Sequence, residues 1–166
     1  MKQLLLILLI PIISYSQISY KDVMSINSEK MFKKVMIENG YEFGLSDEVN
    51  LVYGFDIVRD SIDGMKSSKW GRYRVKDDGF TLSFSRNTQL NTFLNLKEDR
   101  SENEYDLIIK EIKKNCKYFD ILTHTTEDEE ELDYVCYSCS ESKYKGKIGF
   151  MISEGWGYIR HFVNIE

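Results

Sequence analysis

Apolar residues recur at helical spacing in two segments of the chain, and segments that alternate like β-strands follow each of them. The first segment predicts a helix over residues 28–39, with an apolar face made of Phe32, Val35 and Met36. The second predicts a helix over residues 101–116, with an apolar face made of Tyr105, Ile108, Ile109, Ile112 and Cys116. Both predicted helices run directly into an aromatic strand.

Polar residues indicate where the second helix begins. Ser101 and Glu104 have the spacing of a capping box, in which the hydroxyl and the carboxylate each satisfy a free backbone N–H of the first turn. The helix is therefore expected to start next to Ser101. A further short helix is predicted over residues 20–25.

Four strand segments follow each helix in matching order. They cover residues 40–43, 51–58, 70–76 and 80–85 in the first half, and residues 117–120, 134–140, 145–152 and 156–163 in the second. The last two strands of each half are separated by a turn that ends in glycine, at Gly79 and at Gly155. Glycine accepts the positive φ that a tight turn imposes, so both turns predict hairpins.

Landmarks in the two halves are separated by a nearly constant distance along the chain. Tyr41 and Tyr118 are 77 residues apart, and two pairs of glycines are 75 and 76 residues apart. This agreement predicts an α+β fold of duplicated helix plus antiparallel-sheet units (α-β-β-β-β twice), with repeats at residues 17–90 and 91–166. The alternative is that an unduplicated α+β chain yields such pairs when it is searched.

The first 16 residues have the three-part layout of a secretory signal peptide. Lys2 precedes an unbroken apolar run over residues 4–13, and the small residues Ser14 and Ser16 stand at −3 and −1 before Gln17. A retained membrane anchor is the alternative, but a spanning helix needs about 20 apolar residues. We therefore expect residues 1–16 to be a signal peptide, the mature protein to be secreted or periplasmic, and no membrane span to remain after cleavage.

In length, in the order of its elements and in lacking a catalytic motif, the chain resembles the tandem-repeat β-lactamase inhibitory proteins. Each half alone resembles the small outer-membrane assembly lipoproteins, although no cysteine lies near the predicted cleavage point. The chain also resembles many small secreted bacterial proteins. These resemblances concern architecture alone and transfer no functional residue.

Composition narrows the class of protein. The 166 residues include 11 Tyr, 9 Phe and one Pro, which favours strands over disorder. The net charge of −5 gives no long-range attraction to phosphate backbones, so nucleic acid is not an expected partner. Without the leader, 150 residues remain, enough for one ordinary domain or two small fused halves.

The three cysteines, Cys116, Cys136 and Cys139, allow at most one intramolecular disulfide. Cys116 lies on the apolar helix face and could bond to either of the others, pinning helix to sheet; buried thiols are the alternative. Cys136 and Cys139 have the spacing of a redox pair, but a strand would place their sulfurs on opposite faces, and no helix pattern follows. A thiol-dependent redox enzyme using this pair is kept as the alternative function.

The remaining polar residues predict no catalytic, cofactor or metal site. His161 alternates with Ile159 and Val163 and is expected to be packed, and His124 has no obvious nucleophile nearby. The acidic run over residues 127–133 lacks the ligand spacing of a calcium loop, so a solvated hairpin loop is expected, with calcium binding as the alternative. The three cysteines and a histidine lack the paired spacing of structural zinc sites.

A basic and aromatic sheet face is the candidate binding site. Its residues alternate along the third strand of each half: Trp70, Arg72, Arg74 and Lys76 in the first, and Lys143, Lys145 and Lys147 in the second. If both sheets curve the same way, these side chains suit an anionic partner through arginine pairing and a tryptophan anchor. The alternative is that they only solubilise an exposed face. The sequence thus predicts a secreted, non-enzymatic protein that binds a protein or another anionic extracytoplasmic partner.

Overall fold

A computed structural model describes residues 17–61, 64–86, 103–126 and 128–163. The predicted leader, residues 1–16, lies outside these ranges. Within them the helices are α1 (Tyr20–Ser25), α2 (Glu29–Glu38) and α3 (Glu104–Asn115). The strands are β1 (Tyr41–Ser46), β2 (Asn50–Phe55), β3 (Val58–Asp60), β4 (Gly64–Lys66), β5 (Lys69–Arg74), β6 (Gly79–Ser85), β7 (Lys117–Thr125), β8 (Glu131–Ser138), β9 (Gly146–Ser153) and β10 (Trp156–Val163).

Eight strands form one continuous sheet in the order β1-β2-β5-β6-β10-β9-β8-β7. Every neighbouring pair is antiparallel, and β6 and β10 join the two halves of the chain at the centre. The short strands β3 and β4 form a separate two-stranded sheet. The prediction of an α+β fold with an antiparallel sheet is confirmed.

The helices α2 and α3 cover one face of this sheet at two glycines. A Cβ on Gly71 of β5 would lie 2.5 Å from Met36 Sδ, and a Cβ on Gly157 of β10 would lie 2.7 Å from the Tyr105 ring. Both helices therefore approach the sheet where a strand carries no side chain. The core lies between the helices and the sheet. Its fully buried residues include Phe32, Tyr73, Phe80, Leu82, Ile108, Ile112 and Ile159.

Replacing Gly157 by alanine is expected to lower the free energy of unfolding by about 2 kcal/mol, the usual cost of overpacking a core. The new Cβ would lie within 2.9 Å of three ring atoms of Tyr105, a ring that is 2% exposed and whose hydroxyl donates to Met151 O at 2.9 Å. Urea unfolding measures the loss. Gly79→Ala is the matched control, because its Cβ would meet no atom closer than 3.5 Å. Equal stability of the two variants would contradict the close approach of α3.

The start of α3 differs from the predicted capping box. Ser101 lies outside the described residues, and Asn103 is the N-cap, accepting the Asp106 N–H at 2.9 Å. Glu104 is buried instead, where it accepts the Ile18 N–H and pairs with Lys69 Nζ at 2.5 Å. Burial raises the pKa of Glu104 by more than Lys69 and the Ile18 N–H lower it. The prediction is wrong because partners distant in sequence take this carboxylate.

The short helix predicted over residues 20–25 is confirmed as α1, and the hairpin turns also form. Ser19 caps α1 through a capping box with Asp22. Glu154 and Gly155 join β9 to β10, and both have positive φ, at 48° and 80°. In the β5–β6 turn the positive φ belongs to Asp78, at 48°, one residue earlier than predicted.

Two strand ends differ from the prediction where candidate lysines were expected. β5 ends before Lys76, which lies exposed in the turn to β6. β9 begins after Lys145, so Lys143 and Lys145 lie in the preceding loop. There the Lys143 N–H donates to Met24 O at 3.0 Å instead of to a neighbouring strand. The three lysines of the second half therefore do not form a strand row.

Candidate functional site

The sheet face opposite the helices carries the aromatic and basic side chains of β5. Gly71 and Tyr73 face the helices, so the alternation of a strand directs Trp70, Arg72 and Arg74 to the other side. All three line a concavity of about 630 Å³ on that face, called the groove below. The groove holds the first-half part of the predicted binding face, except for Lys76.

Arg72 and Arg160 flank Thr81 in one cross-strand row. Thr81 of β6 pairs with Arg72 of β5 on one side and with Arg160 of β10 on the other. Two strand spacings separate the backbones of the two arginines by about 10 Å. Because the threonine between them is small, a depression remains above β6 with a long cationic side chain on each side.

A second row of the same design lies beside the first. Ser83 of β6 pairs with Trp70 of β5 and with Tyr158 of β10. A small hydroxyl side chain thus lies between two large aromatic ones. The two rows give the groove a narrow polar floor on β6 and walls of arginine, tryptophan and tyrosine on β5 and β10.

Loops and hairpins from both halves surround this floor. Asp47 follows β1, Met65 lies on β4, and the β7–β8 hairpin contributes His124, Leu132 and Tyr134. The Asp47 carboxylate accepts N–H groups of its own turn, and these hydrogen bonds lower its pKa. The groove therefore combines apolar and aromatic walls with polar groups that come from distant parts of the chain.

Three arginines and the carboxylates of Asp47 and Asp128 line the groove, so its positive charge is partly balanced. Within residues 17–61, 64–86, 103–126 and 128–163, no ion pair involves Arg72 or Arg160. Arg160 donates from Nη1 to Thr81 Oγ1 at 3.2 Å. Burial lowers the pKa of Arg160, and the charges of Arg74 and Arg72 lower it further. Asp77 offsets part of the charge, with Oδ2 at 3.7 Å from Arg74 Nε.

His124 adds a titratable group to the same cluster. Its half-buried ring lines the groove, and burial lowers its pKa, with further lowering by the charges of Arg160 and Arg74. Asp77 acts in the opposite direction. Near neutral pH the imidazole is therefore uncharged and can both accept and donate a hydrogen bond.

The lysines of the second half lie elsewhere. Lys143 and Lys145 are exposed in the loop before β9, and neither lines the groove. Lys147 is on β9, where its Nζ lies 4.3 Å from the centroid of the Phe119 ring. Arg160 and Tyr158 of β10 occupy the positions around the groove that these lysines were expected to fill.

Arg160, Tyr158 and His124 were not among the binding residues expected from the sequence. A partial signal existed, since Tyr158 and Arg160 share one parity of a strand that was placed correctly. The alternation alone does not show that these side chains lie beside the groove. Their place there depends on the pairing of β10 with β6, in which Arg160 lies opposite Thr81, 79 positions earlier in the chain.

The cysteines form one disulfide and one buried thiol. Cys116, directly after α3, is bonded to Cys139, directly after β8. Cys136 is free and has no exposed surface, and burial raises the pKa of its thiol to about 11. Since Cys139 is bonded elsewhere and Cys136 is buried and protonated, no observation favours a redox reaction of this pair.

The described residues contain no group of three or more His, Cys, Asp or Glu side chains that could hold a metal ion. They also contain no helix that is long and apolar enough to cross a membrane. Glu127 of the acidic run lies outside the described residues. The run's other acidic residues are exposed, in the turn between β7 and β8 and at the start of β8.

Comparison of the chain with protein families, with curated proteins and with solved structures finds no match.

Proposed function

We propose that this protein is a secreted or periplasmic, non-enzymatic binding protein that holds an acidic surface of a partner protein in its groove. The observation that carries the proposal is the convergence of Arg72, Arg74 and Arg160 on one concavity between Trp70 and Tyr158. Arginine, tryptophan and tyrosine are the residues most enriched at the energetic centres of protein interfaces.

Charge supports an anionic partner. The chain as a whole is acidic, with a net charge of −5, whereas the groove brings together three guanidinium groups and only two carboxylates among its described lining residues, those of Asp47 and Asp128. Holding like charges close together in a partly dehydrated concavity costs free energy, which carboxylates of a partner would offset through bidentate hydrogen bonds. The apolar and aromatic walls favour a protein surface over a free ion, because they add contact area that a small ion would not use.

Export is supported by the leader pattern at residues 1–16 and by the disulfide. Bonds such as Cys116–Cys139 form and persist in oxidising compartments outside the cytoplasm. The proposal therefore places the partner protein outside the cytoplasm as well.

An internal duplication is part of the same proposal. In each half a helix precedes an antiparallel set of strands, and the sheet order runs β1-β2-β5-β6 in one half and β7-β8-β9-β10, in reverse, in the other. Joining two such units through their last strands yields a groove whose two long sides come from different units. Among the described residues, the helix α1 and the hairpin of β3 and β4 have no counterpart in the second half.

Charge reversal in the groove is expected to weaken binding of the partner by about 30-fold or more. Hot-spot residues contribute at least about 2 kcal/mol each, and Arg72→Glu with Arg74→Glu replaces attraction by repulsion. Wild-type protein is used to capture proteins from an extracytoplasmic extract, and each captured protein is then purified. Its dissociation constant is measured by calorimetry for the wild type and the variant.

Lys30→Glu with Lys34→Glu is the matched control, because both lysines are exposed on α2, on the helix side of the sheet. The proposal requires a purified partner whose affinity falls with the groove variant and stays unchanged with the control. It is rejected if no captured protein binds the wild type in purified form, or if both variants bind as the wild type does.

A further inference from the structure

Two concavities meet at one end of the groove. A smaller cavity of about 170 Å³ adjoins the groove, and four residues line both: Arg74, Thr81, His124 and Arg160. These four residues come from four strands, β5, β6, β7 and β10. Two of them are guanidinium groups, one is an imidazole and one is a hydroxyl, so every shared side chain can donate a hydrogen bond.

One wall of this cavity carries no side chain. Gly79, at the start of β6, lines the cavity and carries no side chain. An added Cβ at Gly79 would make only ordinary van der Waals contacts, the nearest with His161 O at 3.5 Å. Arg74 borders the cavity from the last position of β5, and His124 reaches it from the β7–β8 hairpin.

The size of the cavity suits one small functional group. Its volume of about 170 Å³ corresponds to roughly five or six waters at about 30 Å³ each. A carboxylate on a short methylene stem fits this space. The connection to the groove provides a path for a stem that continues into a larger ligand.

Charge favours a carboxylate over a phosphate. The described residues that line the cavity include the guanidinium groups of Arg74 and Arg160 and the carboxylate of Asp77, and burial of His124, with the charges of Arg160 and Arg74, lowers the pKa of its ring. A carboxylate would bring one negative charge beside the Asp77 carboxylate, whereas a phosphate dianion would bring two.

We propose that Arg74, Arg160 and His124 form a subsite for one carboxylate group, with Thr81 as an additional hydroxyl donor. This inference rests on the proposed function, because it assigns the carboxylate to an Asp or Glu side chain or to the C-terminus of the partner protein. The planar guanidinium groups donate paired N–H bonds to the two carboxylate oxygens, and the imidazole donates one further bond.

Acetate is the probe for the subsite. Protein labelled with ¹⁵N is titrated with sodium acetate, with sodium chloride at equal ionic strength and with sodium phosphate, and the Nε–H signals of the arginines and the ring signals of His124 are followed by NMR. Acetate is expected to give saturable shifts at Arg74, Arg160 and His124. Arg160→Gln is expected to weaken acetate binding about 10-fold, the loss of one charge-assisted hydrogen bond, and Lys30→Gln serves as the charge-matched control.

Each outcome decides a different claim. The subsite is rejected if acetate produces no saturable shift in the wild type beyond the chloride effect, or if Arg160→Gln binds acetate as tightly as Lys30→Gln does. The carboxylate assignment is rejected if phosphate binds more tightly than acetate. Since the wild-type titration needs no variant, a failure of Arg160→Gln to fold leaves the claim testable.

The source of the carboxylate is decided by competition. If acetate at saturating concentration weakens binding of the purified partner, the partner supplies the carboxylate; if acetate binds and the partner is unaffected, that assignment is wrong. Partner binding that depends on Arg72 and Arg74 without any acetate binding would remove the subsite and leave the proposed function standing. If acetate binds but no partner protein is found, the subsite stands and the proposed function is rejected.

Discussion

Replacing Cys116 and Cys139 together by alanine is expected to lower the free energy of unfolding by about 3 kcal/mol, because the disulfide closes a loop of about two dozen residues in the unfolded chain. For a chain of this length, that loss corresponds to a fall in Tm of roughly 10 °C. The bond closes the base of the β7–β8 hairpin, beside the paired residues Lys117 and Ser138. Because this hairpin carries His124, the same variant is also expected to loosen one wall of the groove.

Reductant provides the control for this prediction. Thermal unfolding is followed by circular dichroism with and without a thiol reductant for the wild type, the double variant and Cys136→Ala. Reductant should destabilise the wild type and Cys136→Ala, which both retain the bond, and should leave the double variant unchanged. A wild type whose Tm does not respond to reductant, with reduction verified by thiol counting, would contradict a stabilising bond.

Local sequence patterns were sufficient for the elements whose determinants are near in sequence. The parity of Trp70, Arg72 and Arg74 follows from alternation along one strand, and β10 has the predicted bounds from Trp156 to Val163. The short helix α1, which was predicted over residues 20–25, and the turn at Gly155 likewise depend on neighbouring residues.

Contacts between distant residues decided the features that the sequence did not reveal. Lys143 belongs to a loop because its N–H bonds to Met24 O, 119 residues earlier in the chain. Glu104 leaves its expected capping role because Ile18 and Lys69 take its carboxylate. The groove depends on the same kind of information, since only the pairing of β6 with both β5 and β10 places Arg160 across from Arg72. Such pairings leave no periodic signal within either strand.

Acidification is expected to destabilise the protein through His161. The ring is 3% exposed and stacks on Tyr144 at 3.7 Å between centroids, with Phe80 at 5.8 Å. Neither ring nitrogen has a hydrogen-bond partner among the described residues. Burial, together with the charge of Arg160, lowers the pKa of His161 from 6.5 to about 4.

The sign of the effect follows from where the proton binds. Between pH 6.5 and about 4 the unfolded chain binds a proton at His161 and the folded protein does not. The stability contributed by the neutral ring is therefore fully present above pH 6.5 and is lost as the pH falls to about 4. A shift of this size corresponds to about 3 kcal/mol.

Urea unfolding of the wild type and of His161→Phe, measured at intervals across this pH range, tests the prediction. Phenylalanine keeps an aromatic ring between Tyr144 and Phe80 and removes both titrating nitrogens, so the difference between the two stability curves isolates His161 from the carboxylates that titrate in the same range. We expect the free energy of unfolding of His161→Phe, relative to that of the wild type, to rise by about 3 kcal/mol on acidification. His124→Gln is expected to retain most of the wild-type dependence of stability on pH. Parallel curves for the wild type and His161→Phe would show that His161 titrates alike in the folded and unfolded chain. That result would contradict the burial of a ring whose nitrogens have no hydrogen-bond partner among the described residues.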